Sequence, residues 1–278
     1  MLTKELESGK KICVLYHTNC ADGFGAAWSF WLCFRDKATY IPVQYGQPMP
    51  QIDDGSLVYI LDFSYDRQSL IELSQRCTLQ VIDHHATAEK ELEGLSFARF
   101  SKDFSGAYLA HLYAQPDPVP AKILYIQDRD LWQWKLPKSH EFSAALASYP
   151  FDFEVWSSLG SEQLIREGEH ILRAQEQQVQ RLCKNAFNFI YEGSLYPLVN
   201  TPVLQSEVCD ALIKKGSPMA ACFYDEPSGL RVWSLRSNDT IDVSEIAAKF
   251  GGGGRKRTAG FTTHSHYTLQ LVYNTLKS

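Results

Sequence analysis

The sequence predicts an α/β protein of two domains, and three observations carry that prediction. Short β-prone apolar runs alternate with helix-like stretches from Ile12 to Asp130. A stretch of helical periodicity follows from Ser161 to Asn188, and beyond it several short strands surround one short helix. At 278 residues the chain is long enough for two domains and a sizeable core.

The elements can be justified in order. Ile12-Cys13-Val14-Leu15-Tyr16 is a β-prone run ending in His17, followed by Asn19, Cys20, Asp22 and Gly23. Ala26 to Phe34, with Trp28 and Trp31, reads as a buried helix. Leu57-Val58-Tyr59-Ile60-Leu61 is a strand by composition and length and ends in Asp62, with a helix-like stretch beginning near Ser64 to Arg67. Leu79-Gln80-Val81-Ile82 is a short buried strand ending in Asp83-His84-His85. Ala121 to Gln127 reads as a fourth apolar strand, ending in Asp128-Arg129-Asp130.

From Ser161 to Asn188, Leu164, Ile165, Ile171, Leu172, Val179, Leu182 and Phe187 recur among many Glu, Gln and Arg. This is an amphipathic helix, either a connector between domains or an ordinary surface helix. Phe189 to Tyr191, Tyr196 to Val199, Ala220 to Tyr224 and Leu230 to Leu235 read as strands. Asp242 to Phe250 reads as a helix with Val243 or Ser244 in its first turn.

The strand ends carry the chemistry. In open parallel α/β sheets ligands bind beyond the carboxyl ends of the strands, and here four candidate strands each deliver an Asp, a His or both. A single Asp in that position is commonly a helix N-cap, whereas four, two of them with His, are better explained as one converging cluster. Carboxylates with neutral imidazoles suit Mn, Mg, Zn or Fe as divalent ions, and this mixture leans towards Mn²⁺. Paired ions of that kind are the usual apparatus of phosphate-ester hydrolysis.

Composition sets outer bounds. Hydrophobic residues make up 45% and charged residues 21%, ordinary for a globular protein. A net charge of −5 and a pI near 5.9 exclude a protein that coats long nucleic acid by charge, so a nucleic-acid substrate should be short and held by a local basic patch. Seven cysteines without a C-x-x-C pair suggest reduced thiols and a cytoplasmic address. The charged stretch Met1 to Lys11 has no signal-peptide core, and no apolar run reaches membrane-spanning length.

These residues resemble the DHH phosphoesterase superfamily, named for the triplet that stands here as Asp83-His84-His85. The first motif of that family corresponds to His17-Thr18-Asn19-Cys20-Ala21-Asp22-Gly23, the second to Asp62 and the fourth to Asp128. Gly251-Gly252-Gly253-Gly254-Arg255-Lys256-Arg257-Thr258-Ala259-Gly260-Phe261 resembles the glycine-rich signature of the family's first-type associated C-terminal domain. Ser234 to Ser237 and Asp242 to Ala247 also fit that domain.

The resemblance implies an N-terminal, mostly parallel-sheet DHH domain over residues 1–160, a connecting helix over 161–187 and a smaller mixed α/β substrate-binding domain over 188–278. It places the active site in the cleft between the domains. It implies Asp62 as a bridge between two metals, with Asp22, His84, Asp128 and His17 as ligands. Asp83 would orient a neighbouring imidazole, and His85 would contact the substrate phosphate and protonate the leaving oxygen. Arg236, Gly252, Gly253, Gly254 and Arg255 would grip a phosphate.

Two positions depart from the pattern. Cys20 stands two residues before Asp22, where the family commonly has a second aspartate. Either Cys20 ligates as a thiolate, Asn19 helps through its carbonyl oxygen, or the first metal site is weak. Arg255 stands where the signature usually has His, and its planar fork of donors suits phosphate.

Several residues have two readings. The glycine run is an anion nest backed by Arg255, Lys256 and Arg257, or a flexible surface loop. Trp132 and Trp134 stack a base or pack beneath a loop. Arg129 reaches a phosphate or pairs with an acid, and Asp130 reads as a loop cap beside the preferred Asp128. His111, His140, His170, His264 and His266 read as surface residues.

The function expected is a Mn²⁺-dependent phosphoesterase, with one or two ions, acting on short oligonucleotides or nucleotides and needing no membrane. The alternatives are an inorganic polyphosphatase or pyrophosphatase, and a non-catalytic nucleotide sensor with a degraded metal site. Oligomeric state is open.

Overall fold

A computed structural model describes residues 6–44, 46–115 and 118–264; His266 lies outside them. The chain forms two compact units, Met1–Leu172 and Arg173–Ser278.

In the first unit a five-stranded sheet has the order β2-β1-β3-β4-β5, all neighbours parallel. Its strands are β1 (Ile12–His17), β2 (Ala38–Val43), β3 (Leu57–Leu61), β4 (Thr78–Asp83) and β5 (Ala98–Phe100). Every residue of β3 is buried, which a parallel sheet covered on both faces requires. The strand's period of two divides its side chains between two cores. Leu57, Tyr59 and Leu61 pack with Phe30, Phe34 and Ala110, while Val58 and Ile60 pack with Leu70, Leu73 and Leu92 on the other face.

Two helices cover the first face, α1 (Ala21–Phe34) and α4 (Gly106–Ala114); α2 (Arg67–Arg76) lies on the second, and α3 (Ala86–Glu91) follows β4. Asp66 caps α2 by accepting the Ser69 N–H at 2.9 Å, and Ser105 caps α4 by accepting the Tyr108 N–H at 3.3 Å. The strand order places the topological switch point between β1 and β3. Beyond it stand His17 and Asp62, and the register of Leu61 against Ile82 sets Asp62 beside Asp83.

One expected element differs. Ala121 to Gln127 is not a strand; Ala121–Asp130 is a helix, α5, entered from Pro120. Ile123 and Ile126, three residues apart, form its buried stripe and meet α1 near Gly25. A short apolar run has no periodicity that separates a buried strand from a buried helix. Three more helices complete the unit's packing, α6 (Ser139–Leu146), α7 (Phe153–Ser158) and the first half of α8 (Ser161–Lys184). Leu164, Ile165 and Ile171 of α8 join the core around Trp28, Trp31 and Trp156.

Lys122 on α5 is buried, donates to the Trp156 carbonyl and lies 4.8 Å from the Trp28 ring centroid. Burial disfavours its charge and pulls its pKa from 10.5 down to about 8. Between those values the unfolded chain holds the extra proton, so Lys122 adds stability as pH rises across that window. Chemical denaturation of Lys122→Met across this range should show that limb flattened, by up to about 3 kcal/mol.

In the second unit a six-stranded sheet has the order β10-β11-β9-β8-β7-β6, antiparallel except for β7 with β8. Its strands are β6 (Phe187–Tyr191), β7 (Ser194–Asn200), β8 (Met219–Asp225), β9 (Leu230–Ser237), β10 (Gly253–Arg255) and β11 (Thr258–His264). The helices are α9 (Gln205–Lys214) and α10 (Val243–Ala248), the latter capped by Asp242. Met219, Ala221 and Phe223 face one core, whereas Ala220 and Cys222 face another that includes Val179, Leu182 and Cys183 of α8. The chain is therefore α/β, with a parallel sheet and a separate mixed sheet. All seven cysteines are free, and among the described residues no helix is long and apolar enough to cross a membrane.

Candidate metal centre

Three strand ends and two helix ends bring together most of the residues singled out in the sequence. His17 closes β1, Asp62 follows β3, and Asp83 closes β4 ahead of His84 and His85. Asp22 lies in the first turn of α1, where its Oδ2 accepts the Gly106 N–H at 2.6 Å and its Oδ1 the Ala107 N–H at 3.0 Å. The carboxylate therefore sits on the N-terminus of α4, a favourable place for negative charge.

Asp62 holds a left-handed backbone, φ 61°, a conformation costly for most residues but accessible to Asp. Its Oδ1 lies 3.2 Å from His84 Nε2 and its Oδ2 3.7 Å from His17 Nδ1, so its two oxygens face two different imidazoles.

His84 Nδ1 stands 3.0 Å from the Phe104 carbonyl, which can only accept, so Nδ1 carries a proton and Nε2 faces the carboxylates. Asp22 Oδ2 is 3.7 Å from Nε2, and Asp130 Oδ2 is 3.8 Å from Nδ1. Asp83 Oδ1 accepts the His84 N–H at 2.7 Å, the His85 N–H at 3.4 Å and His85 Nδ1 at 2.7 Å. That carboxylate orients the triplet.

Three groups have ligand atoms within 4.8 Å of one another: Asp62-Asp83-His84-His85, His17-Cys20-Asp62 and Asp22-His84-Asp130. Asp22, Asp62, Asp83 and His84 are each 2% exposed or less. Burial works against the charge of Asp62, but His17 and His84 outweigh it and hold its pKa below the usual carboxylate range. Asp22 is pushed the other way by burial and by the Asp62 and Asp130 charges. Burial also opposes charge on His84, yet Asp62, Asp130 and Asp22 together raise its pKa to about 10. Burial and the same three carboxylates push the Cys20 thiol up.

Buried carboxylates thus gather around imidazole nitrogens. Asp62 Oδ1 and Asp83 Oδ2 are buried without a hydrogen bond. A divalent cation fits this donor set of carboxylates, imidazoles and one thiol.

Asp128 is not brought into these groups. It sits inside α5, and its two oxygens accept the Lys135 and Leu136 N–H groups at 2.8 and 3.1 Å. It closes the loop after the helix, and Asp130, two residues on, supplies the carboxylate near His84. Asp130 and not Asp128 therefore stands near His84, because the last turn of a helix, unlike a strand end, points these side chains in different directions.

Gly106 was not singled out in the sequence. A Cβ there would meet the carboxylate of Asp62, and a Cβ at Gly23 would meet the backbone of His17. The Ser105-Gly106 start of α4 carries an N-cap signal, but nothing local says which carboxylate it will face. His111 is buried, not on the surface, and burial lowers its pKa; His140, His170 and His264 are exposed.

After α5, Trp132 and Trp134 are half-buried, both in the left-handed region at φ 55°. The Arg129 guanidinium lies 4.3 Å from the Trp132 ring centroid and 5.5 Å from that of Trp134, which stacks on His140.

In the second unit, the half-buried Arg236 donates to Ser206 Oγ at 2.7 Å, Ser234 Oγ at 3.0 Å and the Leu235 carbonyl at 2.8 Å. The glycine run does not form the continuous nest expected. The Gly251 and Gly252 N–H groups cap α10 by donating to the Ala248 and Ala247 carbonyls at 3.1 and 2.9 Å. Gly253, Gly254 and Arg255 are a strand paired with Gly260, Ala259 and Thr258. A Cβ at Gly252 or Gly254 would strike β11, so close strand packing accounts for those two glycines.

No protein-family profile matches the chain. It is 31% identical to Uncharacterized protein R106 of Acanthamoeba polyphaga mimivirus, over 89% of this chain and 66% of that protein's length. In fold it is similar to an exopolyphosphatase-related protein from Bacteroides fragilis, with a TM-score of 0.56, 13% identity and coverage of 99% and 94% of the two chains. It is also similar to RecJ from Thermus thermophilus in complex with Mn²⁺, with a TM-score of 0.54, 15% identity and coverage of 100% of this chain and 54% of that one. The chain shares the fold of these two structures, and the triplet at the end of β4 is the one that resembles the DHH phosphoesterase superfamily.

Proposed function

We propose that this chain is a divalent-metal-dependent phosphoesterase acting on short oligonucleotides or nucleotides. The convergence of His17, Asp22, Asp62, His84 and Asp130 at the β1/β3 switch point, with buried carboxylate oxygens left without hydrogen bonds, carries the reading. These residues would hold one or two ions, with Mn²⁺ the candidate that the oxygen-rich Asp22-His84-Asp130 group suits. Asp62, which faces His17 with one oxygen and His84 with the other, would serve as a ligand common to both sides of the centre. An ion held there would supply charge neutralisation at the phosphoryl oxygens and a more acidic water.

His85 is the proton donor in this reading. Asp83 takes its Nδ1, so a proton given to the leaving oxygen departs from Nε2. Burial opposes its charge, but Asp83 outweighs burial and raises its pKa above that of free imidazole. His85→Ala should cut kcat by about 10²- to 10⁴-fold with little change in KM or in bound metal. Loss of metal along with rate would make His85 a ligand instead.

Arg236 and Arg255 are assigned to a substrate phosphate, Arg236 because Ser206 and Ser234 hold its planar fork in place. Gly252 and Gly254 let the backbone beside Arg255 lie close against β11, where Gly253 pairs with Gly260. The Arg129-Trp132-Trp134 cluster favours nucleotides over inorganic phosphate chains, since aromatic faces and a guanidinium suit a base. The free cysteines suit a cytoplasmic setting.

The sensor reading is motivated by Cys20 standing where a carboxylate was expected. One experiment separates the readings: Mn²⁺-dependent digestion of a short 5′-labelled RNA, with pyrophosphate and polyphosphate in parallel. A ladder of shorter products supports the oligonucleotide phosphoesterase. Phosphate release from the inorganic chains alone supports the polyphosphatase, and binding without turnover or stoichiometric metal supports the sensor.

A further inference from the structure

Cys20 occupies a position that core packing does not explain and for which a thiol is a poor cap. It is the N-cap of α1, with extended backbone, yet its side chain makes no capping hydrogen bond. That position is usually filled by Ser, Thr, Asp or Asn, whose oxygens accept the first orphan N–H groups, and a thiol is a weak acceptor. Cys20 belongs to none of the buried hydrophobic clusters, whereas Cys77, Cys183, Cys209 and Cys222 all do.

What surrounds its sulfur is chemical. Sγ of Cys20, a ring nitrogen of His17 and a carboxylate oxygen of Asp62 all lie within 4.8 Å of one another. An ion held at about 2.0–2.3 Å from each of three such ligands sets separations of this order. Asn19, in the left-handed region at φ 56°, turns the short link between His17 and Cys20. Gly23 fits the first turn of α1 against the His17 backbone, where a Cβ would collide. The backbone thereby brings a sulfur, a nitrogen and an oxygen to one place. Among the described residues Cys20 is the only cysteine in any such group.

We propose that Cys20 is a metal-binding thiolate, which makes His17-Cys20-Asp62 a nitrogen–sulfur–oxygen site for a borderline ion such as Zn²⁺ or Co²⁺. The inference rests on the metal-dependent reading above and deepens it. Two neighbouring groups then differ in kind, the oxygen-rich Asp22-His84-Asp130 suiting Mn²⁺ and the thiolate one disfavouring Mg²⁺, a hard ion that takes oxygen ligands. Binding forms one S–metal bond and gives the thiol proton to solvent.

The test is Co²⁺ titration of the metal-free full chain under reducing, oxygen-free conditions, followed by absorption. The expected result is a near-ultraviolet thiolate-to-cobalt charge-transfer band that saturates at one equivalent and withstands excess Mg²⁺. Cys20→Ser should lose that band completely while keeping the weaker visible absorption of Co²⁺ in the oxygen-rich group. Serine is a good N-cap, so the variant should fold, and circular dichroism checks that it does. Cys20→Asp should likewise lose the band and keep its Co²⁺. Visible absorption without the charge-transfer band in the parent protein, or a band that persists in Cys20→Ser, overturns the thiolate and leaves the metal-dependent reading standing. No Co²⁺ uptake at all overturns both.

Discussion

Asp62→Asn is expected to abolish metal uptake and lower phosphoesterase activity by about 10³-fold without unfolding the protein. The substitution keeps the side chain's size, and Asn, like Asp, tolerates the left-handed backbone that position 62 requires. It removes the charge that faces His17 and His84 and leaves one oxygen where there were two. An ion contributes several kcal/mol to charge stabilisation in phosphoryl chemistry, and each 1.36 kcal/mol is tenfold in rate, hence the estimate. Metal stoichiometry and steady-state rates on the same preparation, with thermal melting as the control for folding, decide it. Activity within tenfold of the parent would remove Asp62 from the centre and with it the proposed mechanism.

The second large effect is expected at Gly106, which would never touch substrate. By propensity alone, Gly→Ala in a helix is stabilising by roughly 0.5–1 kcal/mol. Here the new Cβ would sit 2.7 Å from both Cβ and Cγ of Asp62. Either α4 moves, carrying away the N–H groups that hold Asp22, or the Asp62 carboxylate swings out of the metal groups. Overpacking of this kind costs about 1–3 kcal/mol, and a misplacement near 1 Å costs about 10²-fold in rate. Gly106→Ala should therefore lose activity and metal affinity together and melt at a lower temperature than the parent. A variant that melts higher, as propensity alone predicts, and keeps its metal would show that the close approach to Asp62 is not maintained in solution.

The sequence made some of this architecture readable for a definite reason. β1, β3 and β4 are runs of β-prone apolar residues ended by a polar residue, and the parallel sheet that buries both faces demands that pattern. The same polar residues, His17, Asp62 and Asp83 to His85, are therefore both the signal for the end of a strand and the makings of a site. The amphipathic helix after Ser161 was legible as far as Lys184, because its apolar positions recur over many turns, whereas Phe187, read as part of it, begins β6.

Where the period is too short, the reading failed. Ala121 to Gln127 is apolar enough for either a strand or a helix. Taking it as a strand put Asp128 at a strand end and Asp130 in a loop, when both belong to one helix. The glycine run was legible as a place of close backbone approach. Its N–H groups at Gly251 and Gly252 nevertheless go to the end of α10, which local composition does not reveal.

By itself, then, the sequence determined the fold class and which strand ends carry metal-competent groups, because burial and periodicity are written locally along the chain. Only the tertiary structure decided which of those groups meet. The strand order puts His17, Asp62 and Asp83 on neighbouring strands, α4 presents its first N–H groups to Asp22, and Gly106 leaves room for the Asp62 carboxylate. Asp130 replaces Asp128 beside His84, and Cys20 comes to lie with His17 and Asp62. These contacts join residues distant along the chain, and their distances are set by how helices pack on a sheet, which no local pattern encodes.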